Sequence, residues 1–142
     1  MKNPDSGHIL HNIQHLALPF VISSMFIFIK PNLDLYDSIT VALFGGLVPD
    51  VDHINIWLEY KFTSFRSFLK FVTKARRHRF SFLIFHNLGF MTALLLLIPL
   101  IDIVSPLGAI FLVAFLGHLC LDFFDDKLSI GRVTHWRYRR KT

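Results

Sequence analysis

The feature that most constrains this chain is a stretch of 22 residues, Phe80 to Ile101, in which His86 is the only ionisable side chain. About 20 apolar residues in a helix cross a ~30 Å hydrocarbon layer, so a segment of this length predicts a membrane span. Three further apolar runs share the 142 residues: Leu16 to Ile29, Leu35 or Ile39 to Val48, and one that follows Ser105, Pro106 and Gly108 and runs to Leu121. The first reaches about 19 residues if its helix starts at His11, and the second is shorter still, so tilt or a locally thinned bilayer is expected. Charged residues make up 18% of the chain, against about 25% in soluble domains, and mean hydropathy is +0.49. This balance excludes a disordered chain and argues against an ordinary soluble enzyme.

Chain length suits one domain over 1–142. The start, Met1 to Gly7, lacks the basic-then-apolar plan of a cleaved signal peptide, and Asp5 or Ser6 is placed to cap a helix beginning near Gly7. Pro31, Pro49, Pro99 and Pro106 punctuate the runs. The single cysteine, Cys120, rules out an intrachain disulfide and a multi-thiolate zinc knuckle. The expected fold is all-α: a polytopic membrane bundle of about four spanning helices plus an amphipathic interfacial helix.

That extra helix is expected in the basic segment 58–79. Leu58, Phe62, Phe65, Phe68, Leu69 and Val72 fall on one side of a helix, while Arg66, Lys70 and Lys74 fall on the other. Such a helix either lies in the headgroup plane with its cations towards anionic lipid or packs as a surface helix on the rest of the protein. Net charge is +5. Seven of the 15 Lys and Arg lie between Lys61 and Arg79, and six lie in the basic tail 127–142. Two clusters flanking apolar runs read as topology signals and lipid-facing surfaces, so no nucleic-acid partner is expected. With four spans, both clusters and the N-terminus share a side, which the positive-inside rule places in the cytoplasm. The opposite connection, Ile101 to Gly108, carries no Lys or Arg.

Histidine and aspartate beside membrane spans are costly and usually functional. His8, His11 and His15 stand at the start of run one, and Asp50, Asp52 and His53 follow run two. His86 lies about two turns into run three, and His118 with Asp122, four residues apart, closes run four. Four antiparallel helices bring all of these to one end. Each has a plainer reading alone: Asp50 as a turn residue, His118 and Asp122 as one intrahelical bond, His86 as a core histidine, the first three as interfacial. Carboxylates and imidazoles gathered at low dielectric need counter-charge, however, and a divalent cation supplies it. Zinc is the preferred ion, with Mn or Mg as alternatives, and the ligand supply allows one ion or two.

The run Gly46-Leu47-Val48-Pro49-Asp50-Val51-Asp52-His53, then His78-Arg79 and His86, then Gly117-His118 with Asp122, resembles the YdjM-like, LexA-regulated group of inner-membrane-associated metal-dependent hydrolases. That group is linked by motif to the zinc-dependent phospholipase C superfamily. The resemblance covers His15 to Asp122 and implies a metal set drawn from His15 (with His11 as rival), Asp50, Asp52, His53, His86, His118 and Asp122. The third element departs from the family pattern, since five residues separate His78-Arg79 from Phe85-His86-Asn87.

The expected function is hydrolysis of a phosphoester or phospholipid-like substrate by water activated at the metal, whose pKa falls from about 15.7 to about 7. Asp52 or His86 would orient the water or act as base, and Arg79 would grip a phosphate through its fork of donors. A non-catalytic, metal-stabilised scaffold and a metal or proton transporter are the alternatives.

Overall fold

The structure is a computed structural model and describes residues 4–72 and 84–130. Among these residues there are six α-helices, one 3-10 turn and no strand. The helices are α1 (Pro4–Ile29), α2 (Leu35–Leu47), α3 (His53–Tyr60), α4 (Phe65–Val72), α5 (Leu88–Val104) and α6 (Pro106–Ile130), and the 3-10 turn covers Val48–Asp52.

α6 is the central element, and α1, α2 and α5 pack on it while α1 also packs on α2. Close approach needs small residues at the contacts. A Cβ on Gly45 of α2 would strike the Phe111 carbonyl oxygen of α6, and one on Gly117 of α6 would lie 2.9 Å from Leu18 Cδ2 of α1. Ile22, Ala42, Ile110 and Ala114 form one core cluster, and Leu94, Phe115 and Leu119 form a second between α5 and α6. Between α1 and α2 the buried Ser23 hydroxyl lies 2.8 Å from the Pro19 carbonyl oxygen and 3.0 Å from that of Ser38. These bonds keep the hydroxyl satisfied where water is excluded.

Contacts at the two ends give the helix directions. Lys30, just past the end of α1, places its Nζ 2.5 Å from Asp102 Oδ1 near the end of α5. Away from that end, the first half of α1 meets the second half of α6 through His15 and Asp122. The four apolar helices therefore alternate in direction.

Among the described residues one helical stretch, Pro106–Asp125, is long and apolar enough by itself to cross a membrane, while Ile13–Ile29 and Leu88–Val104 are apolar but shorter. Three helix boundaries differ from the sequence expectation. α1 begins at Pro4, before Gly7. α5 begins at Leu88, not near Phe80, because the Asn87 side chain accepts the Gly89 N–H and caps the helix there. α5 also runs through Pro99 to Val104.

The basic segment is not one helix. α3 ends at Lys61, which adopts left-handed backbone angles (φ 51°, ψ 47°) and donates its N–H to the Trp57 carbonyl. Ser64 then starts α4, its hydroxyl accepting from the Ser67 N–H at 3.3 Å. The periodicity from Leu58 to Val72 is compatible with a continuous helix, but a Thr-Ser pair competes locally for the backbone. The break lets Phe62 fold back towards Trp57 and Phe68, with ring centroids 6.4 and 5.8 Å away. This aromatic packing is what the apolar stripe buries within its own hairpin.

Candidate functional site

Pro49 ends α2 and tightens the chain into the 3-10 turn that carries Asp50 and Asp52. Asp50 and Asp52 go different ways from this turn. Asp52 is 3% exposed and points inwards, where its Oδ2 accepts the backbone N–H groups of Phe85 and of His86, the latter at 3.2 Å. The same oxygen lies 3.3 Å from His86 Nδ1. One carboxylate thus fixes both the backbone and the ring of His86, in the short non-helical stretch before α5. His86, 4% exposed, therefore precedes the helix instead of lying two turns inside it, and its other nitrogen, Nε2, reaches Asp122 Oδ2 at 2.9 Å.

α6 supplies the centre of the cluster. His118 and Asp122, one turn apart, face the same way, with His118 Nε2 3.1 Å from Asp122 Oδ2. From α1, His15 Nε2 lies 3.1 Å from Asp122 Oδ1, and His15 Nδ1 lies 3.0 Å from His118 Nδ1. Asp50 Oδ1 lies 3.5 Å from His118 Nε2 and 3.6 Å from His53 Nδ1, while its side chain is 54% exposed. His53 opens α3 and its ring centre lies 5.5 Å from that of His86. Asp50 and His53 hence form the outward side, and Asp52 the inward side, of one constellation.

Ligand atoms of His15, His118 and Asp122 all lie within 4.8 Å of one another. His118 Nε2 is buried and has no hydrogen bond of suitable direction among the described residues, although two carboxylates stand within 3.5 Å. Two imidazoles and a carboxylate converging on one point are a donor set of the kind that a divalent cation accepts.

Electrostatics outside the helices that cross the core follow from these contacts. Burial acts to raise the Asp52 carboxyl, but bonds from His86 and from the Phe85 and His86 amides outweigh it and hold the pKa below the ordinary 3.8. Burial acts to lower His86, yet its bonds to Asp122 and Asp52 push it up to about 9. His53 is lowered by burial and then by the neighbouring His86.

Of the residues expected at the site, His15, Asp50, Asp52, His53, His86, His118 and Asp122 come together. The side chain of His11 lies outside the described residues, and so do His78, Arg79 and residues 131–142 of the basic tail. What sequence reasoning missed is the role of Asp52 as a brace for His86. The pattern Pro-Asp-x-Asp-His shows two nearby carboxylates, but nothing in it reveals that one binds amides 33 and 34 residues away.

Fold and site together define a helical protein built around a His/Asp cluster at one end of four packed helices. Residues 10–128 match the family model described as YdjM inner membrane protein, and the chain belongs to that family. No curated protein and no solved structure shows a significant match.

Proposed function

We propose that the protein is a multi-pass membrane-bound, metal-dependent hydrolase acting on a phosphoester or phospholipid-like substrate. The observation that carries this reading is the triad of His15, His118 and Asp122, whose donor atoms lie within 4.8 Å of one another, beside the half-exposed Asp50. Three protein ligands with one side left open is the pattern of catalytic zinc, whereas structural zinc is closed by four. Zn is the preferred ion, with Mn or Mg as alternatives, and Asp50, His53 and His86 leave room in the donor set for a second ion.

A bound divalent ion supplies a Lewis acid and lowers the pKa of water. The chain's own residues do the rest. His15, His118 and Asp122 hold the ion, and Asp52 orients His86 so that its Nε2 faces Asp122. Asp50 and His53 line the open side, where substrate enters. Burial of His86 and His118 keeps bulk water from the inner half, which strengthens each charge–dipole contact there.

Four spans with both termini cytoplasmic remain part of the proposal. Large apolar side chains are exposed on all four packed helices, among them Met25 and Phe28 on α1, Phe44 on α2, Leu96, Leu100 and Ile103 on α5, and Phe124 on α6. Exposed apolar surface on this scale marks a membrane or partner contact. A transporter is disfavoured because the His/Asp cluster occupies one end of the bundle only, whereas an ion path needs ligands towards mid-membrane and beyond.

The test is metal analysis of purified protein beside His118→Ala and Asp122→Asn, followed by assays on phosphodiester and phospholipid substrates with Zn²⁺ or Mn²⁺. Stoichiometric metal in the wild type, lost in both variants, with metal-dependent turnover, is the expected result. Metal without turnover on any ester favours the scaffold; no metal in the wild type defeats the proposal.

A further inference from the structure

The α3–α4 hairpin is unlike the rest of the molecule, because its core is aromatic and largely its own. Trp57 sits at its centre, with ring centroids 4.9 Å from Phe68, 6.3 Å from Phe65 and 6.4 Å from Phe62. Phe68 is buried, but Val51, Ile54, Leu58 and Phe65 are exposed. Val51, Ile54 and Leu58 are spaced by three and four residues, so they form one apolar row along the turn and α3. Lys61 and Arg66, also exposed, stand at the bend and in the first turn of α4. From Ile54 to Arg79 the sequence carries seven basic residues and a single acidic one, Glu59.

An aromatic wedge flanked by cations suits one kind of surface. Trp and Tyr favour the headgroup level of a bilayer, where the ring is shielded and the polar edge is wet. Basic residues there gain from an anionic leaflet. A water-facing hairpin would leave four large apolar side chains exposed with no compensating burial. A protein partner is the other occupant to weigh, but the charge bias and the membrane family of the chain favour lipid.

We infer that the α3–α4 hairpin is an interfacial anchor that docks into the headgroup layer and selects anionic phospholipid. The hairpin adjoins the His/Asp cluster directly, since α3 begins at His53 and Trp57 lies one turn further on. Anchoring therefore brings phosphate-bearing headgroups to the exposed Asp50 side of the cluster. The inference does not depend on hydrolase activity or on bound metal.

The test uses full-length protein carrying Trp136→Phe, so that Trp57 is the one tryptophan, reconstituted in nanodiscs. Brominated phosphatidylcholine and brominated phosphatidylglycerol are compared as quenchers at equal mole fraction. The expected result is quenching of Trp57 by both lipids, at least about two-fold stronger with brominated phosphatidylglycerol, and shielding from aqueous iodide. Lys61→Glu with Arg66→Glu is expected to equalise the two lipids, with helix content by circular dichroism unchanged. Three outcomes overturn the inference: Trp57 open to iodide, Trp57 shielded from both iodide and lipid as in a protein-packed hairpin, or equal quenching by the two lipids in the unmodified hairpin. If the double variant loses helix content, Arg66→Gln alone replaces it, and an undiminished preference for phosphatidylglycerol then overturns the role of the cations.

Discussion

Asp52 and Asp122 carry the same functional group and do different work. Asp122 meets three imidazoles, those of His15, His86 and His118, whereas Asp52 meets one imidazole and two amides. Asp52 braces His86, whose Nε2 bonds the ligand Asp122, and loss of such an outer partner of a metal ligand costs about 10–100-fold in affinity. Asp52→Asn is therefore expected to weaken metal binding by about that factor while preserving stoichiometry, whereas Asp122→Asn abolishes binding; metal titration by calorimetry separates the two. His86 adds a pH dependence. Its pKa rises from the ordinary 6.5 to about 9 in the metal-free fold, so its protonated form stabilises that fold fully below pH 6.5. This contribution is lost as pH climbs through 9. Metal needs its imidazole ligands neutral, so uptake releases protons and apparent affinity increases with pH. Denaturation of metal-free protein at pH 6 and pH 9.5 is expected to show the lower stability at the higher pH, with the difference reduced in Asp52→Asn.

Lys61 is the hinge of the hairpin among the elements. A non-glycine residue in the left-handed region costs about 1–2 kcal/mol, and the chain bears this cost to fold Phe62 against Trp57. Lys61→Gly removes the strain but raises the conformational entropy of the unfolded chain, at a cost of about 0.4–1 kcal/mol, so it is expected to be neutral or mildly stabilising. Lys61→Val, with a branched Cβ, is expected to destabilise the bend by more than about 1 kcal/mol. Hydrogen exchange over residues 57–68 measures both, with the amides of Lys61 and Phe62 exchanging faster in the valine variant. The apolar stripe from Leu58 to Val72 was legible as amphipathic, but its division into two helices was not. Periodicity reports which side chains share a face if the helix continues, and says nothing of a bend that pays back through ring packing.

The molecule as a whole has a polar end and an apolar middle. The His/Asp cluster lies at one end of the bundle, and the Lys30–Asp102 pair lies at the other. In a four-span arrangement the basic segment and tail fall on the cluster's side, where the positive-inside rule puts the cytoplasm. A reporter fused after Thr142 is expected to read as cytoplasmic, and one inserted between Val104 and Pro106 as exported. The lengths of the helices matter here, since α2 has 13 residues and α5 has 17 against the ~20 that a full crossing needs. The bilayer is therefore expected to thin around the protein, or the helices to tilt.

The sequence by itself determined the helical class, the membrane setting and the set of ionisable groups that meet. Those follow from local hydrophobic runs, from proline punctuation and from the cost of placing His and Asp at span ends, all of which act along the chain. Family membership was legible for the same reason, because the motif Pro49-Asp50-Val51-Asp52-His53 is contiguous. Only the tertiary structure decided which carboxylate braces and which gathers imidazoles, where α5 begins, and that Lys61 turns back on Trp57. Those depend on contacts between residues dozens of positions apart, such as Asp52 with the amides of Phe85 and His86. The energy of such contacts exists only once the helices have packed.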